Sequence, residues 1–333
     1  MALQPFCPTP QLFVYYYVRK EAVLSSQIEG TQSSLSDLLK FEQSGEPDSH
    51  LNDVSEVSRY VNAVSYGIEA LSSDRLPLSL RLLKEVHAVL MSDGRGSSKA
   101  DPGHFRRQQV WLGGDTPQNA VFCPPPPNVL TSCLNDFEKY LHETSEIPTL
   151  IKAALIHAQF ETIHPFIDGN GRLGRLLIPL YLFAEGSLTE PLLYLSLYFK
   201  ENRSEYYDKL QRVRSHGEWE EWVSFFLVGV KATAGEAVTR ARMLNTVFAR
   251  DTEKLRTVKT NRRASIQQLH SHLHKSPIVK AVAAALGVTK PTARAALQEL
   301  AELGLLKTFT FKGTNWYTYA QYLATLENTI STN

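Results

Sequence analysis

His164-Pro165-Phe166-Ile167-Asp168-Gly169-Asn170-Gly171-Arg172-Leu173-Gly174-Arg175 is the stretch on which the reading of this chain turns. An apolar pattern over Thr149–Thr162 predicts a helix running up to it. Pro165 disfavours α geometry in the residue before it, so His164 is expected to leave that helix and enter a loop. Gly169 and Gly171 let the loop backbone approach a ligand closely. Leu173, Leu176, Leu177 and Leu180 then recur at helical spacing. The loop therefore opens a helix N-terminus, where free N–H groups and the macrodipole favour an anion. Arg172 and Arg175, three apart, share a face beside it, and two guanidiniums at a helix N-terminus make a polyphosphate cradle. Asp168 adds a hard oxygen suited to Mg²⁺, and His164 adds a base. Together they point to chemistry at a phosphorus atom.

Outward from this stretch the chain reads as mainly helical. Leu12–Ile28 is a helix that Gly30 can end, and Val54, Val57, Val61, Val64, Ile68 and Leu71 mark another. Leu82, Leu83, Val86 and Leu90 mark a third after Pro77. Past a polar break at Asp93–Pro102, Gln108–Leu112 and Ala120–Phe122 are short β-prone runs around Gly113-Gly114-Asp115, a hairpin pattern. Pro124–Pro127 leaves it in extended form, and helices resume at Leu130–His142.

The C-terminal third has its own pattern. Glu218–Thr260 is a helical connector. Ile278–Leu286 and Pro291–Leu303 read as helices around a turn at Gly287-Val288-Thr289. Lys307–Phe311 and Trp316–Tyr319 follow as a ribbon, which together is a winged-helix pattern. Lys290, Arg294, Lys307 and Lys312 are a thin basic footprint, so DNA is an open partner but not the favoured one. His270, His272 and His274 alternate without an acid or cysteine beside them and are expected on a solvated face rather than a metal site.

Composition sets the outer bounds. The 333 residues hold 35 Lys+Arg against 34 Asp+Glu, a net charge of +1, so nothing global points to nucleic acid or an anionic membrane. Cys7, Cys123 and Cys133 form no C-x-x-C pair, which fits a reducing compartment better than a disulfide scaffold. The most apolar run, Leu176–Ala184, is too short to span a bilayer. No leader pattern opens the chain, and the expectation is a soluble cytoplasmic protein.

The stretch His164–Arg175 resembles the Fic family motif H-x-F-x-[DE]-G-N-G-R-x-x-R and meets it at every fixed position. The resemblance implies a mainly α Fic fold, a helical core with a β-hairpin flap, and transfer of AMP from ATP to a protein hydroxyl. It implies that His164 deprotonates a target Ser, Thr or Tyr, that Asp168 holds Mg²⁺, and that Phe166 anchors the loop. Gly169, Asn170, Gly171, Arg172, Leu173, Gly174 and Arg175 would bind the nucleotide, with Gly113 and Gly114 of the flap near nucleotide or target. Tyr207, and secondarily Tyr206, would border the adenine, while Arg214 stands where some relatives carry a side-chain amide.

Ser25-Ser26-Gln27-Ile28-Glu29-Gly30 fits the family's inhibitory motif [ST]-x-x-x-E-[GN]. It implies that Glu29 pairs with Arg175 and withholds it from the γ-phosphate. The domain reading is 1–100 N-terminal helical region with the inhibitory motif, 101–230 catalytic core, 231–263 connector and 264–333 winged helix. Partners implied are hydroxyl-bearing proteins, the chain itself as substrate, and a second copy as a homodimer, with no membrane. De-adenylylation, phosphoryl transfer, and a DNA-binding regulator with a Fic core are the alternative functions.

Overall fold

The computed structural model describes residues 10–44, 51–73, 75–92, 101–114, 116–144, 146–190, 193–258, 260, 262–273, 278–279, 287–311 and 314–327. The chain divides into two compact units. The first comprises Tyr17–Ser34 and Asp48–Ala234; the second comprises Ala2–Tyr16, Leu35–Pro47 and Gly235–Asn333. The N-terminal hundred residues are thus shared between the units, and the connector beyond Ala234 clusters with the C-terminal residues rather than standing alone.

The first unit takes the C-terminal part of α1 (Pro10–Ile28), then α3 (Leu51–Ser72), α4 (Leu80–Leu90), α5 (Pro127–His142), α6 (Thr149–Ile163) and α7 (Asn170–Ala184). α8 (Ser196–Glu201), α9 (Arg203–His216) and the start of α10 (Trp219–Thr257) complete it. α7 is its axis. Leu173, Leu176, Leu177, Ile178, Leu180 and Leu182 are all buried, the mark of a helix surrounded on every side. α3 crosses it so closely at Gly67 that a Cβ there would lie 2.9 Å from Leu180. α6 packs along α7, and Trp222 of α10 donates its indole N–H to the Ala154 carbonyl of α6 at 2.8 Å. Phe199, Tyr206, Trp222, Phe225 and Phe226 close this side as an aromatic cluster.

The second unit contains the N-terminal part of α1, α2 (Leu35–Ser44), the remainder of α10, α11 (Arg263–Leu273), β1 (Ile278–Val279) and α12 (Lys290–Glu302). β2 (Lys307–Phe311), β3 (Thr314–Thr318) and α13 (Ala320–Glu327) follow. The sheet order is β1-β3-β2, antiparallel throughout, with Ile278 opposite Thr318 and Phe309 opposite Trp316. Ile278 and Val279 therefore form a strand where the sequence pattern predicts the start of a helix: β3 supplies a pairing edge that outweighs local propensity. Residues 280–286 lie outside the described residues, as do Lys312 and His274. His270 is buried, not solvated; it stacks on Phe248 and meets the Tyr319 hydroxyl, which bonds Asp251. Among the described residues no helix is long and apolar enough to cross a membrane, and no cluster of His, Cys, Asp and Glu forms a metal cage.

Candidate active site

α6 ends at His164, whose N–H still bonds the Phe160 carbonyl at 2.9 Å. The histidine leaves the helix as Pro165 requires, but at φ 50°, ψ 62°, in the left-handed region rather than the extended one. The strain is held by Arg106, a buried guanidinium that sequence reasoning passed over. Its Nε donates to the His164 carbonyl at 2.8 Å, its Nη2 to Pro125 at 2.5 Å and Ile163 at 3.3 Å, and its Nη1 to Gln108 at 3.2 Å. One planar fork thus fastens the motif loop to both ends of the flap.

Phe166 is buried and stacks on His87, ring centroids 3.7 Å apart. His87 accepts the Gly103 N–H on Nδ1 and donates Nε2–H to the Asp168 carbonyl, each at 2.9 Å. Burial lowers its pKa to about 4, so the neutral ring acts as a strut beneath the loop. A signal for it was present: His87 lies on the same helical face as Leu83 and Leu90, a polar group in a core position.

Asn170 closes the loop. Its Oδ1 accepts the Phe166 N–H and its Nδ2 donates to the Phe166 carbonyl, both at 2.9 Å. The side chain expected to line the anion site is engaged with the loop itself. Asn170→Ala should cost about 2 kcal/mol of stability by urea unfolding, because it leaves two buried main-chain groups unpaired.

Gly169, at φ 78°, turns the chain into α7 and brings the helix's first N–H groups to the surface of the loop. Leu173 offers nothing there, since its side chain is buried and its N–H bonds the Gly169 carbonyl at 3.0 Å. Gly174 is small for packing: its open side faces Phe160 and the Glu161 carboxyl of α6, and its carbonyl accepts His157 Nδ1–H at 2.9 Å. Both were expected at the nucleotide; the structure buries Leu173 in the core and puts Gly174 in the α6–α7 interface.

Arg175 is nearly fully buried. Its Nε donates to Ser25 Oγ at 2.9 Å, and its Nη2 to the Ser25 carbonyl at 3.1 Å and to Glu29 Oε1 at 2.6 Å. The Glu29 carboxylate lies directly over Gly171, where any Cβ would collide with it. Burial pushes the Glu29 pKa upward, but the charge and hydrogen bond of Arg175, with Arg172 and His164 adding, hold it below 4.5. Arg172 pairs with Glu56 of α3 at 2.6 Å and with Asp168 Oδ1 at 3.5 Å. Glu56 is a partner the sequence did not reveal, because it joins Arg172 across more than a hundred residues. Asp168 accepts the Gly169 N–H at 2.5 Å and keeps a side chain 55% exposed.

His164 is half-buried, and its Nδ1 is enclosed without a hydrogen-bonding partner. Burial lowers its pKa to about 4, with the charges of Arg214 and Arg106 acting the same way. The Glu161 carbonyl offsets this in part without closing a bond to the ring.

The flap is less regular than the hairpin pattern predicts. Among the described residues a single antiparallel bridge forms between its stems, Leu112 to Phe122. Gln109 turns its amide onto the Val110 and Pro124 carbonyls, and Pro124–Pro127 has no N–H to extend a ladder. Gly113, at φ 71°, and Gly114 lack side chains where Val121 and Asn119 of the same loop press in. Their smallness is thus needed by the flap's own turn. Tyr206 is no pocket wall, being 1% exposed with its hydroxyl donated to His157 at 2.9 Å. Tyr207, beside it, is 41% exposed, and Glu29 and Arg175 act on its hydroxyl.

Known proteins share this chain's family patterns and fold. The Fic/DOC family pattern matches residues 77–182, and the Fic/DOC family N-terminal pattern matches residues 3–69. A "probable protein adenylyltransferase" of Aquifex aeolicus (strain VF5) is 26% identical over 181 residues, 53% of this chain and 51% of that protein. The protein adenylyltransferase Fic of Drosophila ananassae is 32% identical over 170 residues, 50% of this chain and 29% of its own length. The chain therefore matches about half or less of these curated relatives. A Fic family protein from Desulfovibrio desulfuricans G20 shares the fold at a TM-score of 0.62 and 23% identity, covering 96% of this chain and 90% of that one. Residues 134–508 of C. elegans Fic-1 do so at 0.53 and 22% identity, covering 69% and 64%. A complete motif, built around a glycine-opened helix, together with family patterns matched over residues 77–182 and 3–69, places this chain in the Fic/DOC family.

Proposed function

We propose that the chain is a protein adenylyltransferase that moves AMP from ATP to a Ser, Thr or Tyr hydroxyl of a protein, itself included, and that Glu29 restrains it. The observation that carries this reading is the Glu29–Arg175 pair lying over Gly171 at the opening of α7. An anion is already bound where a polyphosphate would lie, on a guanidinium that no exposed surface role explains. The names of the curated relatives support the same reaction.

His164 takes the proton of the incoming hydroxyl, whose oxygen forms a bond to the α-phosphorus as the bond to pyrophosphate breaks. The N–H groups at the start of α7, together with Arg172 and Arg175, neutralise the charge that develops on the phosphates. Asp168 fits a phosphate-borne Mg²⁺, since a single exposed carboxylate is what that ion asks of a protein when the nucleotide supplies its other ligands. Bound there, Mg²⁺ would screen and orient the phosphate oxygens. The target backbone adds beside the Leu112–Phe122 bridge, and exposed Tyr207 borders the base. With Glu29 in place Arg175 is withheld, and the triphosphate is not in line with the hydroxyl.

We assign the second unit as a winged helix, from the order α11, β1, α12, β2, β3, and assign it to docking of protein partners in the cytoplasm rather than to DNA, because few cations line α12. Incubation of the full chain with ATP and Mg²⁺ followed by intact-mass measurement should add one AMP unit. A gain of one phosphate would replace this reading with phosphoryl transfer, and no gain even in Glu29→Gly would remove it.

A further inference from the structure

Two guanidiniums grip the last turn of α6 from different elements. Arg106 reaches it from the flap stem, as described. Arg214 reaches it from α9: its Nη2 donates to the Glu161 carbonyl at 3.1 Å and its Nε to Thr162 Oγ1 at 3.3 Å. The same guanidinium lies 4.6 Å from the ring centroid of Phe122, half of the flap's only bridge among the described residues. Gln211, one turn earlier on α9, donates to the Val121 carbonyl at 3.3 Å. α9 thus holds the flap and the end of α6 together, and Arg214 touches both.

The base itself lacks an orienting acid. His164 Nδ1 is enclosed without a partner, where many catalytic histidines have a carboxylate behind the ring. The charged groups acting on the ring are Arg214 from α9, Arg106 from the flap stem and Glu29 from the end of α1. The Glu161 carboxyl, on the ring's own helix, is turned against Gly174.

We infer that Arg214 is a positioning residue for His164: it fixes the last turn of α6, and with it the imidazole that follows, against the flap and brings a positive charge to that turn. This rests on the adenylyltransferase reading. After burial, Arg214 is the largest influence lowering the ring's pKa, ahead of Arg106. A lysine could supply the charge but neither the planar fork across Glu161 and Thr162 nor the flat face on Phe122. The arrangement also ties target binding to the base. A strand added at the Leu112–Phe122 bridge presses on the ring on which Arg214 rests.

The test is a histidine NMR titration of the full chain, with the His164 signal identified by its loss in His164→Ala. Arg214→Gln should raise the midpoint of that ring by about one pH unit, as removal of a nearby like charge does. Arg214→Ala is a second charge-free variant in case the first does not fold. Arg214→Lys should leave the midpoint close to wild type. In the Glu29→Gly background, the acid limb of kcat/KM should move up with the Gln and Ala variants. The Lys variant should instead raise KM for the protein target. A midpoint unmoved by Gln and Ala, or moved equally by Lys, overturns the inference. A shifted midpoint without any AMP transfer counts against the adenylyltransferase reading and leaves the placement of Arg214's charge standing.

Discussion

Glu29→Gly is expected to raise AMP transfer by about ten- to a hundredfold, read as incorporation of labelled AMP from ATP and Mg²⁺ into the chain and into protein targets. A hydrogen bond to a charged group contributes about 1.5–3 kcal/mol, and each 1.4 kcal/mol is tenfold, which sets the range. The competition is direct, since Glu29 Oε1 sits 2.6 Å from the Arg175 Nη2 that a phosphate would need. The variant should still fold, because Arg175 keeps the Ser25 hydroxyl and carbonyl as acceptors. Acid alone does not mimic it near neutrality. Burial raises the Glu29 pKa, Arg175 more than reverses this, and the net value lies below 4.5. The stability that the pair contributes is therefore present above the ordinary carboxylate value and is lost only as pH falls through the lowered one. Release in the neutral range needs displacement of Glu29, not its protonation. Glu29→Gln, which keeps a hydrogen bond but not the charge, should fall between wild type and glycine. Activity unchanged in Glu29→Gly over several targets would falsify the restraint.

His164→Ala, placed in the Glu29→Gly background, is expected to lower transfer by about a hundred- to ten-thousandfold, the usual worth of a positioned general base. ATP binding should persist in that variant, measured by calorimetry, because the proposed cradle is α7 with its arginines rather than the imidazole. The loop should hold its shape as well, since Arg106 bonds the main chain at position 164 and not the ring. Transfer that survives with His164 removed would mean that another group takes the proton. Glu161 would be the first to examine, as a buried carboxyl whose pKa burial raises to about 7.

Much of the first unit was legible because its signals are local. Helical spacing of apolar residues marked α3, α4, α5, α6 and α7 to within a few residues, since amphipathic periodicity reports directly which face is buried. The placing of Glu29 against Arg175 was legible through motif resemblance, not through any spacing between residues so far apart. Other elements were misread where a partner elsewhere in the chain decides the outcome. Ile278–Val279, two β-branched residues inside an apolar run that reads as helix, become a strand where β3 offers an edge. The flap's β-prone runs form one bridge because a proline tract supplies no donors on one side.

Arg106 and Glu56 gave no sequence signal at all, and Arg214 only its place where some relatives carry a side-chain amide. A lone arginine or glutamate reads as surface, and only the fold shows which carbonyls, rings or cations surround it. His87 lay between these cases, visible as a polar residue on an apolar helix face but without a hint of what it supports.

The sequence by itself determined the helical class and the family motif of one loop, because residue type, order and short-range spacing are properties of a dozen consecutive positions. Tertiary structure alone decided which of those residues face solvent, which are spent on holding the loop, as Asn170 is, and which on packing, as Leu173 and Gly174 are. The reason is that burial and hydrogen-bond satisfaction are set by groups far apart in the chain, and no local pattern encodes who those neighbours will be.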